Sequence, residues 1–184
     1  MTGARDVLRR ETRDLHDAVD SVYSTFRLDT HDDYAAFLMA QAAAHLPCEV
    51  ALDCAQAERI LPDWPLRRRA DLLRDDLRKI GSNISASDSG GLRAEPSFRT
   101  ASEILGAIYV LEGSRLGGAM LVRSVPGSLP RKFLGASLPG SWRTLMQVID
   151  RDLVAAIEID EAVAAARQVF GMFERAGRAS MRVE

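Results

Sequence analysis

The stretch Tyr109-Val110-Leu111-Glu112-Gly113-Ser114-Arg115-Leu116-Gly117-Gly118 sets three glycines into an otherwise helical pattern. Glycine costs about 1 kcal/mol relative to alanine inside a helix, so three of them cost roughly 3 kcal/mol. Such a cost is tolerated where something must come closer to the backbone than a Cβ allows. Gly113 and Gly117 are four residues apart and share a face, with Gly118 beside them. The visitor is either another helix or a flat ligand laid across this one.

Outward from this segment the pattern stays helical. Thr100 or Ser102 opens the glycine helix, which is expected to run to about Arg123. Upstream, Leu8, Leu15, Val19, Val22 and Phe26 recur at three- and four-residue steps, predicting one helix over 6–26. Thr30 and Asp33 resemble a capping box before Tyr34, Phe37, Leu38, Gln41 and Ala44, and Pro47 should bend or split that second helix. Residues 65–80 read as a further amphipathic helix with Leu66, Ala70, Leu73, Leu77 and Ile80 inward, stopped by Gly81.

Residues 81–96 are rich in Ser, Gly and Asp and read as a loop. A second connection over 124–140 carries a short helical turn near Arg131–Leu134. Ser141 then caps a helix starting Trp142-Arg143, and 153–176 completes the set. With no alternating strand pattern, no internal repeat and no break in composition, the expected fold is all-α, a single helical bundle domain over 1–184.

Composition bounds the function. The 184 residues are 47% hydrophobic and 27% charged, ordinary for a globular protein, and the net charge of −2 gives no electrostatic case for nucleic acid. No run approaches the ~20 apolar residues of a bilayer span, and the charged N-terminus is unlike a signal peptide. The expectation is a cytoplasmic protein with no membrane partner. Cys48 and Cys54, six apart on one helix, point to different sides and read as reduced, packed thiols.

Three histidines are available. His31 falls in the first turn of a helix, where capping or solvation is the ordinary role, and His45 before Pro47 can simply be packed. His16 lies within the first predicted helix. A lone histidine at the edge of an apolar face is usually structural, but a neutral imidazole is also a common axial ligand of haem iron. Haem is a flat, largely apolar disc with two propionates. A site between helices needs a histidine below the iron and a helix free of side chains above it, and His16 with the Gly113, Gly117 and Gly118 face supplies both. Arg9, seven residues before His16 and so two turns away, is placed to meet a propionate; Tyr109, four before Gly113, offers a hydroxyl to the same pocket. Arg13 competes with Arg9 from a less favourable angle.

At these residues the chain resembles the haem oxygenase family. Leu8-Arg9-Arg10-Glu11-Thr12-Arg13-Asp14-Leu15-His16 is similar to its proximal-histidine helix, and Tyr109 through Gly118 to its kinked distal helix. Tyr34-Ala35-Ala36-Phe37-Leu38, Phe133-Leu134-Gly135 and Ser141-Trp142 extend the likeness over about 7–173. Leu-Glu-Gly-Ser-x-Leu-Gly-Gly looks most like the short bacterial enzymes associated with bacteriophytochromes. The resemblance implies that haem is both cofactor and substrate, with O2 as co-substrate and His16 as the iron ligand. The implied products are biliverdin, carbon monoxide and ferrous iron.

One departure bears on chemistry. Many members carry an Asp on the distal helix that organises proton-delivering water; aligned on Gly117-Gly118, that position is Ser114, and the only nearby carboxylate is Glu112. The expectation is that Ser114, backbone carbonyls and ordered water carry the network, beside a distal wall in which Gly113 and Gly117 serve the chemistry. The same departure favours an alternative, a non-catalytic haem- or bilin-binding protein on this fold. A third reading, a structural helical domain whose glycines admit a neighbouring helix, leaves His16 unexplained. Without a dinucleotide fingerprint or a cysteine cluster, electrons are expected from an external ferredoxin or flavoprotein reductase, and biliverdin is expected to supply a bacteriophytochrome. The Arg67-Arg68-Arg69 run with Arg74, Arg78 and Lys79 is either a docking patch for an acidic donor or a solvated helix face.

Overall fold

A computed structural model of the chain describes residues 3–82 and 96–181. Eight α-helices follow one another among these residues: α1 (Ala4–Glu11), α2 (Arg13–Tyr23), α3 (His31–Cys54), α4 (Trp64–Arg67), α5 (Ala70–Lys79), α6 (Ala101–Leu121), α7 (Ser141–Asp152) and α8 (Ala156–Ser180). No strand occurs among the described residues. Helix α8 is the hub, packing on α1, α2, α3 and α6, while α5 lies on α3 and α7 on α6 and α1. The all-α expectation holds. Most of the loop expected over 81–96 lies outside the described residues.

Local chemistry explains where the helices begin and end. Thr100 caps α6 with a full capping box: its hydroxyl accepts from the Glu103 N–H at 3.1 Å, and Glu103 returns to the Thr100 N–H at 3.2 Å. Beyond α5, Gly81 takes φ +81°, with Ser82 N–H bonded to Leu77 O and Gly81 N–H to Arg78 O, the double closure that a left-handed glycine permits. The expected turn near Arg131–Leu134 is present, closed by Gly135 N–H to Arg131 O at 2.9 Å.

Other expectations need correction. The first helix is interrupted at Thr12, whose φ/ψ of −113°/2° leaves the helical basin while its hydroxyl bonds back to Leu8 O at 2.7 Å. Arg9 and His16 therefore sit on different helices, and the two-turn phase that related them does not carry across. Thr30 makes no capping box, because Asp33 turns to Arg27 at 2.9 Å instead. Pro47 does not split α3, where Leu38, Ala44, Cys48 and Leu52 are wholly buried on both sides of it; packing there outweighs the ~3 kcal/mol proline penalty. Residues 65–80 break at Arg68–Arg69, and Leu66 is left 70% exposed rather than inward. Gly140, at φ +83°, is the residue before α7, so Ser141 is its first helical residue and not its cap. Of the two free thiols, Cys48 is buried and Cys54 is exposed.

Two helices, α3 and the segment Ala101–Ser124, are long and apolar enough by composition to cross a bilayer, contrary to the expectation that no run approaches that length. In the fold, more than half of each apolar window is buried inside the bundle. The tightest contact in the core lies on the same glycine-containing helix. A Cβ added at Gly106 would stand only 2.1 Å from Ala162 O, so α6 crosses α8 with main chain against main chain. Gly177 lets α8 close on side chains of α2, where a Cβ would meet Val22 Cγ1 at 2.6 Å.

Candidate functional site

His16 projects from α2 with its side chain 58% exposed and its ring edge-on to Phe170 of α8 at 5.9 Å between centroids. Its Nδ1 faces the Asp20 carboxylate, one turn on, at 3.3 Å, and Asp17 at 3.8 Å. A carboxylate can only accept, so this arrangement favours the proton on Nδ1 and leaves the lone pair on Nε2. That is the tautomer a histidine needs to bind a metal, and the carboxylate partner fixes the ring.

The glycines of α6 divide into two groups. A Cβ placed on Gly113 or Gly117 would meet nothing within 4 Å, whereas one on Gly118 would press on Leu134 O at 3.2 Å and Leu134 Cδ2 at 3.3 Å. Gly118 thus faces inward, against the 131–135 turn, and the bare surface is Gly113 and Gly117. Leu116 (48% exposed) and Met120 (75% exposed) complete a stripe at positions i, i+3, i+4 and i+7 with these two glycines. Apolar side chains around bare backbone, open to solvent on the helix of a folded bundle, form a surface suited to a flat apolar molecule.

Tyr109, one turn before Gly113, is half-buried and lies 5.5 Å from the Trp142 ring. Burial raises its phenol above the ordinary range, with a smaller opposing pull from the Thr12 hydroxyl and the Arg9 charge. Arg9, in the last turn of α1, is among the charges that act on the Tyr109 phenol.

Ser114 is tied in place. Its hydroxyl donates to Leu111 O at 2.7 Å and accepts from Arg69 Nη2 at 2.7 Å. Arg69 also donates to Leu111 O at 2.8 Å and lies over the Phe133 ring at 4.8 Å. It is 2% exposed; burial, followed by the nearby Arg115 charge, pushes its guanidinium down to about 9, still protonated at neutral pH. Arg67 is equally buried and forks onto Asp63 (Nε–Oδ1 and Nη2–Oδ2, both 2.8 Å) while reaching Glu112 at 2.9 Å and Ser141 O at 3.0 Å. Arg115 takes the other Glu112 oxygen at 3.0 Å. Both Glu112 oxygens are thus occupied inside the fold, and this carboxylate is not at the open face.

The Arg67-Arg68-Arg69 run is accordingly neither a docking patch nor a solvated face. Only Arg68 points outward, paired with Asp53 at 3.0 Å; Arg74 pairs with Asp71, and Arg78 and Lys79 with Asp75. Nothing in a run of three arginines distinguishes an inward member from an outward one, and the signal lies elsewhere, in Glu49. That carboxylate accepts from the Arg69 and Ala70 N–H groups at 2.6 and 3.0 Å, starting α5 afresh and turning Arg69 inward.

His45 is fully buried, with Nε2 2.8 Å from Glu49 Oε1 and its ring edge-on to Phe133 at 5.3 Å. Burial lowers its pKa, so it is neutral. Burial alone would raise Glu49, but bonds from His45 and the two N–H groups overcome this and hold its carboxyl below the ordinary range. Nε2 therefore carries the proton, and Nδ1 is a buried acceptor without a partner. His31 is exposed beside Asp32, as its place in a first helical turn suggests. Among the described residues no group of three His, Cys, Asp or Glu could hold a metal ion, so His16 has no clustered protein ligands.

No family model matches the chain. Among curated proteins it is similar to a haem oxygenase of Xanthomonas campestris pv. campestris, 32% identical over 117 residues that make up 60% of this chain and 67% of the relative. The chain belongs to the haem oxygenase family. A second similar protein is the haem oxygenase PigA of Pseudomonas aeruginosa, 30% identical over 113 residues, 61% of this chain and 56% of PigA. The haem oxygenase fold is evident in two solved structures. The Neisseria meningitidis haem oxygenase, solved with NO and CO bound, aligns with a TM-score of 0.83 at 22% identity, covering 100% of this chain and 94% of its own. The Leptospira interrogans haem oxygenase aligns with a TM-score of 0.72 at 18% identity, covering 97% and 100%.

Proposed function

We infer that this chain is a haem oxygenase that converts haem, O2 and externally supplied electrons to biliverdin, carbon monoxide and ferrous iron. The observation that carries the site assignment is the Gly113–Leu116–Gly117–Met120 face of α6, left bare and apolar in an otherwise well-packed helix. The donor set suits haem. His16 would hold the iron through Nε2, and the absent side chains at Gly113 and Gly117 would let main chain approach the ring. Tyr109 and Arg9 face the propionate edge. Gly118 contributes by fixing α6 on Leu134 rather than by lining the ring.

Haem, when bound, supplies the iron that activates O2 and the meso carbon that is attacked. The chain's own part is positioning and proton supply. Bare backbone at Gly113 and Gly117 would let α6 close over the substrate and limit the space beside it. The Ser114 hydroxyl, already donating to Leu111 O, can relay a proton only through a rearrangement or through water, and Arg69 holds it in register for that task. Electrons come from a ferredoxin or flavoprotein reductase, and biliverdin passes to a bacteriophytochrome. Free thiols at Cys48 and Cys54 accord with a cytoplasmic setting.

The test is turnover. Haemin added anaerobically to the apoprotein should bind stoichiometrically; O2 with ascorbate or reduced ferredoxin should then replace the haem spectrum with that of biliverdin. A haem spectrum that persists through this treatment would select the non-catalytic binding protein, the reading that Ser114 in the position of the family's Asp favours. Ser114→Ala should slow turnover about tenfold, toward the low end of proton-transfer effects because water can partly replace the hydroxyl. An unchanged rate and product would remove Ser114 from the proton route.

A further inference from the structure

Asp76 of α5 is wholly buried, far along the chain from every residue assigned to the haem site, and is not used by the mechanism above. Its Oδ2 accepts from the Phe133 N–H at 2.8 Å, and its Oδ1 is a buried atom with no partner. Burial holds its carboxyl above the ordinary range, against the pull of the Phe133 and Lys132 N–H groups. Asp75, Lys79 and the Tyr34 ring are the other groups that sense it. A carboxylate kept dry in this way is costly, and what it secures is the turn after Pro130.

That turn reaches α6 by two routes, one through Arg69 and one directly. Phe133 puts its ring beneath the Arg69 guanidinium, which donates to Ser114 Oγ at 2.7 Å; Leu134 fills the space that a Cβ on Gly118 would need. Tyr34 Oη donates to Pro130 O at 2.8 Å and fixes the entry to the turn, while Asp76 fixes its middle. We propose that Asp76 is a positioning residue for the reaction, setting the Ser114 hydroxyl through the Phe133–Leu134 turn and Arg69. The proposal rests on the assignment of Ser114 to the proton route.

The test uses the full chain with Asp76→Ala, Asp76→Asn and Ser114→Ala, and the double variant Asp76→Ala/Ser114→Ala. Asp76→Ala should bind haemin stoichiometrically yet turn it over about tenfold more slowly, as expected when a reacting group is displaced by a fraction of an ångström. Asp76→Asn keeps a carbonyl acceptor for the Phe133 N–H and should restore turnover to within about twofold. In the Ser114→Ala background the effect of Asp76→Ala should vanish, since both act through one hydroxyl. In the haem-free protein, the Arg69 side-chain NMR signal should shift in Asp76→Ala and stay in place in Asp76→Asn.

Equal slowing by Asp76→Ala with and without Ser114, or an Arg69 signal that does not move, would overturn the proposal. If Ser114→Ala alone changes nothing, the proton-route assignment fails instead, and the Arg69 signal still decides whether Asp76 sets that guanidinium. Should Asp76→Ala not fold, Phe133→Leu keeps the turn but removes the ring beneath Arg69. It must then show the same dependence on Ser114, and additive slowing would count against the proposal.

Discussion

His16→Ala should abolish the normal axial ligation of added haemin, with loss of the histidine-ligated absorption and resonance Raman signatures and at least about a hundredfold loss of turnover. This exceeds the 10–100-fold effects typical of residues that only orient a ligand. Because the side chain is largely exposed, its removal leaves no core cavity, and the fold should survive with its thermal midpoint nearly unchanged. Added imidazole should occupy the vacated position and restore part of the spectrum. Asp20→Asn should give a milder version, about tenfold, since the amide no longer favours the proton on Nδ1. A His16→Ala protein that still shows a histidine-ligated spectrum would transfer the ligand role to another residue.

The fold was legible because its signals are local. Apolar residues at helical spacing, the start of α6 at Thr100, one of the two residues expected to open it, and the Gly81 stop each act within a few residues. What was not legible depends on partners distant in sequence. Arg69 turns inward because Glu49, 20 positions earlier, receives the N–H groups at the start of α5. Glu112 looks like a free carboxylate beside the glycines until Arg67 and Arg115 close on it. Spacing relates Arg9 to His16 only through a helical phase that Thr12 breaks. His16, Gly113 and Gly117 are open in the fold, whereas Gly118, placed with them by spacing, is covered by Leu134. The surrounding charge network is made of contacts, and these exist only in the fold.

The glycines give the sharpest separation of packing from function, because one residue type on one helix has opposite expected effects. Gly106→Ala would put a Cβ 2.1 Å from Ala162 O, a backbone atom that no rotamer change can move aside. The α6–α8 crossing must open, and urea unfolding should show a loss of about 3 kcal/mol, at the upper end of overpacking effects, with an unchanged m value. Gly113→Ala and Gly117→Ala meet no atom within 4 Å. Each should stabilise the haem-free protein by about 1 kcal/mol through helix propensity alone, raising its melting temperature by about 2–4 °C. The same methyl groups stand where the ring is proposed to lie, so haemin affinity and turnover should fall as stability rises, and more steeply for Gly113→Leu. Two glycines standing where alanine would stabilise the helix are explained if ligand contact requires bare backbone there. Were Gly113→Ala and Gly117→Ala to bind and degrade haem as the parent does, the ring would have to lie on some other surface.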